Sequence, residues 1–260
     1  MEKQELSPIQ QKVQSFRLAI ADDYVQSQLR SALGESSSSF AASLIDLFSG
    51  DDELQKCDPK RVIMQAMKAA ILKLPINKNI GYGYIIAFGG KPEFIIGYKG
   101  LVQLAIRTGM YEILNAGPVY EGEYRTANKL TGEFDLSGEK KSDKIIGYFA
   151  HFEMKNGFKK TLYMTAEKVE AHGKKYSKSY NSKYSPWQTE PESMGTKTAL
   201  RGLLTHWGYM SAEMSSALET DDVAETVREE ISNNGNRQVM SFDSVPEAEI
   251  VRNEPAGAPF

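Results

Sequence analysis

The chain is 260 residues long, 41% apolar, 25% charged and 10% aromatic, the make-up of a folded globular protein rather than a disordered or fibrous one. Its net charge of −3 hides three unlike stretches: residues 1–58 carry 5 Lys/Arg against 10 Asp/Glu, residues 59–210 carry 23 against 13, and residues 211–260 carry 3 against 11. No run approaches the roughly 18 unbroken apolar residues of a membrane helix, the start MEKQELSPIQ lacks the apolar core of a signal peptide, and the single cysteine, Cys57, has no partner for an internal disulfide, so a membrane span and export are not expected and the cytoplasm is.

In chain order, residues 1–21 are thinly apolar and are expected to form a flexible arm, although Val13, Phe16 and Ile20 recur at helical spacing and can dock on a neighbour. A domain over 22–218 follows. Asp22 or Asp23 caps a helix ending near Gly34, and the serine run 36–39 caps another through Ile45 and Phe48 to Gly50. Asp58-Pro59 supplies an N-cap and a first-turn proline for the most legible helix, with Val62, Met64, Met67, Ile71 and Leu74 along it and Pro75 as its stop.

The period then changes from 3.6 to 2. GYGYIIAF and PEFIIGY read as two strands joined at Gly89-Gly90. A helix follows in YKGLVQLAIRTG, with Leu101, Leu104 and Ala105 on one side and Lys99, Gln103 and Arg107 on or beside the other. Strands are expected around Tyr111–Leu114 and Pro118–Tyr124. A polar excursion over 126–142 comes next, then a strand pair, IIGYFAHFEM and FKKTLYM, across Asn156-Gly157. Thr165 opens a helix that runs into KKYSKSYNSKYSPW, and a last long helix from about Glu190 to Gly208 carries Met194, Leu200, Leu203, Leu204 and Trp207. The domain therefore reads as α+β: a mainly antiparallel sheet with a helix packed behind it, flanked by N-terminal helices and a final long helix. From Glu219 to Phe260 apolar periodicity is lost and Asp, Glu, Ser, Asn and Pro accumulate, which points to an acidic disordered tail.

Catalytic signatures are missing from this pattern. There is no G-x-S-x-G elbow; Gly89-Gly90-Lys91 runs into Pro92 and lacks the earlier glycine of a phosphate loop; and His151, His172 and His206 have no metal-ligand spacing. No cofactor, metal or ATP use is expected. Glu121, Glu123 and Asp135 could meet in space as a carboxylate nuclease site, with surface carboxylates as the plainer reading.

The segment 174–187 alternates cations with aromatics: Lys174, Lys175, Tyr176, Lys178, Tyr180, Lys183, Tyr184 and Trp187. On a single DNA strand lysines neutralise phosphates, and aromatic faces stack on any base at about 1 to 3 kcal/mol each. A surface loop whose tyrosines pack locally is the bland alternative. Lys99, Gln103 and Arg107, with Lys197, Thr198 and Arg201 on the last helix, form a second basic set; if both helices pack on one sheet their polar edges converge on one groove.

GYGYIIAFGGKPEFIIGYKGLVQLAIRTG and DKIIGYFAHFEMKNGFKKTLYMTAEKVEAHGKKYSKSYNSKYSPW resemble the core of the RecT-family phage recombinases, over roughly Asp58 to Gly208. The resemblance implies a Rad52-like sheet with a helix behind it, and ATP-independent annealing of single-stranded DNA in a bacterial host. It further implies rings or helical filaments of the chain and a partner phage exonuclease that exposes the strand; a host single-strand-binding protein is a further partner, one that the acidic tail could dock. The first strand would lie with its backbone inside a groove and its base edges exposed to a complementary strand. Lys99, Gln103 and Arg107 match the family's YKGL-x-QLA-x-R pattern, and Lys174, Lys175, Tyr176 and Trp187 its KKYS to SPW pattern. Around Lys197, Thr198 and Arg201 the likeness is looser, with Gly195 standing where a larger residue is expected. A passive strand-protecting protein is the alternative that shares these features. The acidic tail would either compete with DNA for the groove or dock a partner.

Overall fold

In the computed structural model, which describes residues 8–215 except Lys129 and Glu213, helices begin where acceptor side chains precede them. Asp22 accepts from Tyr24 N and Val25 N at the start of α2 (Asp23–Leu33), and Asp58 accepts from Lys60 N ahead of Pro59 in α4 (Pro59–Ile71). A short 3-10 turn, Gly34–Ser36, leads into α3 (Ser37–Ser49), and Ser36 makes no capping bond there. No described helix is long and apolar enough to cross a membrane. The tail expected over 219–260 lies outside the described residues.

The expected flexible arm is corrected from Pro8 onward. Residues Pro8–Ala21 form α1, and Phe16 and Ile20 are buried, Phe16 stacked on Phe48 of α3 at 3.9 Å and 8°. Their four-residue spacing puts both rims of one apolar stripe against this chain's own core, and each such burial contributes about 1.5 to 3 kcal/mol. That is enough to hold an otherwise polar helix.

The hairpin β1 (Gly83–Phe88) and β2 (Lys91–Ile96) turns at Gly89 and Gly90, with φ of 55° and 77°, which a two-residue connection requires and glycine accepts without strain. It stands as a separate two-stranded sheet packed on α4. After α5 (Tyr98–Arg107), β3 (Tyr111–Tyr120), β6 (Ile145–Met154) and β7 (Lys159–Thr165) form an antiparallel sheet in the order β3-β6-β7. The two strands expected at 111–114 and 118–124 are a single strand through Pro118. A proline that donates no ladder bond is tolerated because β3 is an edge. The polar excursion holds a small hairpin, β4 (Thr126–Asn128) and β5 (Glu133–Asp135). Then come α6 (Ala166–Tyr176), the one-turn α7 (Pro186–Thr189) and α8 (Pro191–Trp207).

The architecture is α+β, and the final helix is itself the one behind the sheet. α8 packs across β3, β6 and β7, burying Leu200, Leu203 and Leu204 against Ala150, Phe152 and Met154, which alternate on the inner face of β6. Gly195 lets α8 approach closely, because a side chain there would enter the Tyr148 ring. The space of a larger residue is thus filled from β6.

Candidate nucleic-acid interface

Period-2 alternation splits the β1–β2 hairpin between two surfaces. Ile85, Phe94 and Ile96 are buried in the core, while Tyr84, Ile86, Phe88, Glu93 and Ile95 face a groove of about 800 Å³. The far wall comes from helices that present one face each. On α6, Lys168, His172 and Tyr176 recur every four residues; on α8, Met194, Lys197, Arg201 and Thr205 do so at three and four. Four cationic side chains and several aromatic rings therefore line one trough, together with two carboxylates, Glu93 and Glu190.

The segment 177–186 is folded back rather than free. Trp187 lies on Gly173 of α6, where an added Cβ would be 2.8 Å from the indole, so only glycine seats the ring flat on the helix. Ser185, buried, accepts from Trp187 N at 3.4 Å, and Gln188 Nε2 donates to Tyr180 O at 2.8 Å. The Tyr180 ring sits 5.7 Å from the indole. Local packing and groove lining thus coexist, and Trp187 does both.

Of the residues singled out from sequence, Tyr176, Lys178, Trp187, Lys197, Thr198 and Arg201 are brought together in the groove lining. Thr198 is buried there, and its hydroxyl donates to Met194 O at 2.8 Å, within its own helix. Lys174 pairs with Glu170 at 2.6 Å on the exposed side of α6, Lys175 Nζ lies 4.9 Å over the Tyr176 ring, and the Tyr180 hydroxyl reaches Glu170 at 3.5 Å. Lys99, Gln103 and Arg107 are not in the groove lining, so the expected convergence of both helix edges on one groove is corrected. Their stripe runs along the connection after α4: the Lys99 stem lies near Gly81. Arg107 donates to Leu72 O at 2.7 Å and Lys73 O at 3.0 Å. Those carbonyls end α4, where Lys73 has φ 52°, and a guanidinium fork satisfies orphan carbonyls and the negative end of the helix dipole together.

Tyr84, Phe88, Tyr98, Lys168 and His172 join the groove without having been singled out. The alternation of GYGYIIAF gave the outward face of the strand, but not what lay opposite it. His172 sits below the ordinary 6.5, first because its ring is desolvated, although the residue as a whole is exposed, and then because Arg201 and Lys175 lie near. The Tyr176 ring is 4.6 Å from it.

The carboxylates weighed as a nuclease site are each engaged locally. Glu123 accepts from Tyr120 N at 2.7 Å, Glu121 from the Ser142 hydroxyl at 2.8 Å and Asp135 from Ser137 N at 2.9 Å. Among the described residues no group of three or more His, Cys, Asp or Glu is placed to hold a metal.

The RecT family matches residues 38–234. The uncharacterized protein YqaK of Bacillus subtilis (strain 168) is 42% identical over 227 residues, 86% of this chain and 78% of YqaK. Protein RecT of Escherichia coli (strain K12) is 29% identical over 184 residues, 65% of each chain.

Proposed function

This chain belongs to the RecT family, and on that premise we propose that it seats a single DNA strand in the groove between the β1–β2 hairpin and α6–α8 and anneals it to a complementary strand without ATP. Membership carries a role in DNA recombination through single-strand annealing. The observation that carries the finer reading is the meeting of Lys168, Lys178, Lys197 and Arg201 with Tyr84, Tyr98, Tyr176 and Trp187 in one trough. Cations take phosphates and release counterions, and rings give sequence-tolerant stacking. Lys174, Lys175 and Tyr180 extend the path along the exposed side of α6. Lys99 and Gln103, with Arg107 where its cap allows, form a second contact line on α5.

Several copies work together along the strand. A row of grooves keeps the strand extended, and the high effective concentration of neighbouring sites favours zippering once a short register has paired. A phage exonuclease supplies the strand in this scheme, and a host single-strand-binding protein is the competitor to be displaced. The annealing reading is tested by mixing complementary oligonucleotides with the protein in the absence of ATP. Accelerated duplex formation confined to complements is expected; binding with no acceleration would identify strand protection instead.

His172 makes binding pH-dependent. In the free protein desolvation of the ring, and after it Arg201 and Lys175, hold its pKa below the ordinary value; phosphate beside those two cations offsets their part of the shift and raises it. The bound state therefore holds the proton more firmly. Affinity is expected to rise as pH falls through the bound-state pKa and to level off below the free-state one. A titration between about pH 7.5 and 5.5 should show the rise in the native protein and lose most of it in His172→Gln.

A further inference from the structure

The two walls of the groove rest on different parts of the fold. The hairpin wall is held to α4, with Phe94 N donating to Gln65 Oε1 at 3.1 Å. The other wall rests on the central sheet through α6 and α8. A side-chain bond crosses between them: Lys178 Nζ donates to Glu93 Oε1 at 2.8 Å, 85 residues away in sequence. The two side chains are 46% and 34% exposed, so both remain within reach of a solute. Alternation along β2 aims Glu93 into the groove while its neighbours Pro92 and Phe94 are buried. A carboxylate there repels the polyanion that the surrounding lysines and arginine attract, so its position calls for an account.

We propose that Glu93 is an internal stand-in for phosphate, holding Lys178 across the groove until a phosphate of the strand takes its place, and thereby setting how tightly and for how long the first strand is held. The proposal rests on the groove being the seat of the strand. An ion pair this exposed adds little to stability and exchanges readily. Carboxylate and phosphate oxygens both accept from an ammonium group, and a strand that engages neighbouring cations at the same time wins the exchange. The exchange also runs backwards: when Glu93 recaptures Lys178, one contact to the strand is gone, which assists release of a paired product. The Glu170–Lys174 pair, at 2.6 Å, is confined to one turn of α6 and joins no walls.

The test uses the full chain and a fluorescein-labelled mixed-sequence oligonucleotide, followed by anisotropy, with dissociation read after adding unlabelled strand. Glu93→Gln is expected to bind about fivefold tighter than the native protein and to release more slowly by a similar factor. Glu93→Thr, suited to a strand position, should repeat the gain. In a Lys178→Gln background most of the gain should be lost, leaving only the relief of repulsion between Glu93 and the strand, because Glu93 acts chiefly through Lys178. Native-like or weaker binding by folded Glu93→Gln and Glu93→Thr overturns the proposal, as does a gain of undiminished size without Lys178. Failure of the native protein to bind the oligonucleotide overturns the reading of the groove itself, and the proposal with it.

Discussion

Replacing Lys197 and Arg201 together by alanine is expected to weaken single-stranded DNA binding about a hundredfold near 0.1 M salt while leaving the fold intact. Both residues line the groove from one face of α8, four positions apart, so they address neighbouring phosphates rather than the same one. A hydrogen bond to a charged group is worth about 1.5 to 3 kcal/mol, and two at the low end give that factor. The slope of log affinity against log salt should fall by about 1.4, because each single-strand phosphate contact contributes roughly 0.7. The opposite face of α8 buries Leu200, Leu203 and Leu204 and is untouched, so the unfolding midpoint should stay near the native one. A hundredfold loss with an unchanged salt slope would mean that the two side chains shape the groove and do not meet phosphate.

The largest stability effect is expected from Phe152→Ala. Phe152 is fully buried on the central strand β6, edge-on to Tyr111 at 5.6 Å and tilted against Phe158 at 5.6 Å. Truncating a ring in such a site costs about 3 to 5 kcal/mol, since the residual cavity adds to the lost transfer energy. That is a large part of the 5 to 15 kcal/mol roughly typical of a whole domain. Urea unfolding followed by circular dichroism should show the midpoint falling steeply with the slope unchanged. DNA binding should decline with the unfolded fraction and keep its salt slope in the folded remainder. A loss below about 1 kcal/mol would mean that Tyr111 and Phe158 close over the space.

Of the groove's four cations Lys178 was the one with a local sequence signal, Lys197 and Arg201 were reached through the last helix, and Lys168 was not expected there. KKYSKSYNSKYSPW stands out by its alternation of cations and rings, and Lys178 and Trp187 of it are found in the groove lining. Trp187's second task was not legible, because the glycine that seats it, Gly173, lies fourteen residues earlier and reads as an ordinary helical glycine. The capping task of Arg107 was hidden for a related reason. Its position on the polar side of α5 matched a DNA-facing pattern, yet its guanidinium ends on carbonyls 34 and 35 residues upstream. Helix periodicity tells which side chains share a face but is silent on what that face meets.

The same division holds for the whole chain. Capping by Asp58, the two-glycine turn of the hairpin, the switch from period 3.6 to 2 and the buried leucines of α8 were determined by residues within a turn or two of each other, because caps, turns and amphipathic stripes are satisfied by neighbours along the chain. Met194 and Trp207, expected on the same apolar side as those leucines, line the groove beside Lys197 and Arg201 instead. Only the tertiary structure decided that α1 belongs to the core, that the hairpin stands apart from the central sheet, and that Glu93 reaches Lys178 across 85 residues. Those outcomes depend on which apolar faces bury one another. Burial is non-directional, so the sequence pattern names the faces, and the pairing between them emerges only when the whole core is packed.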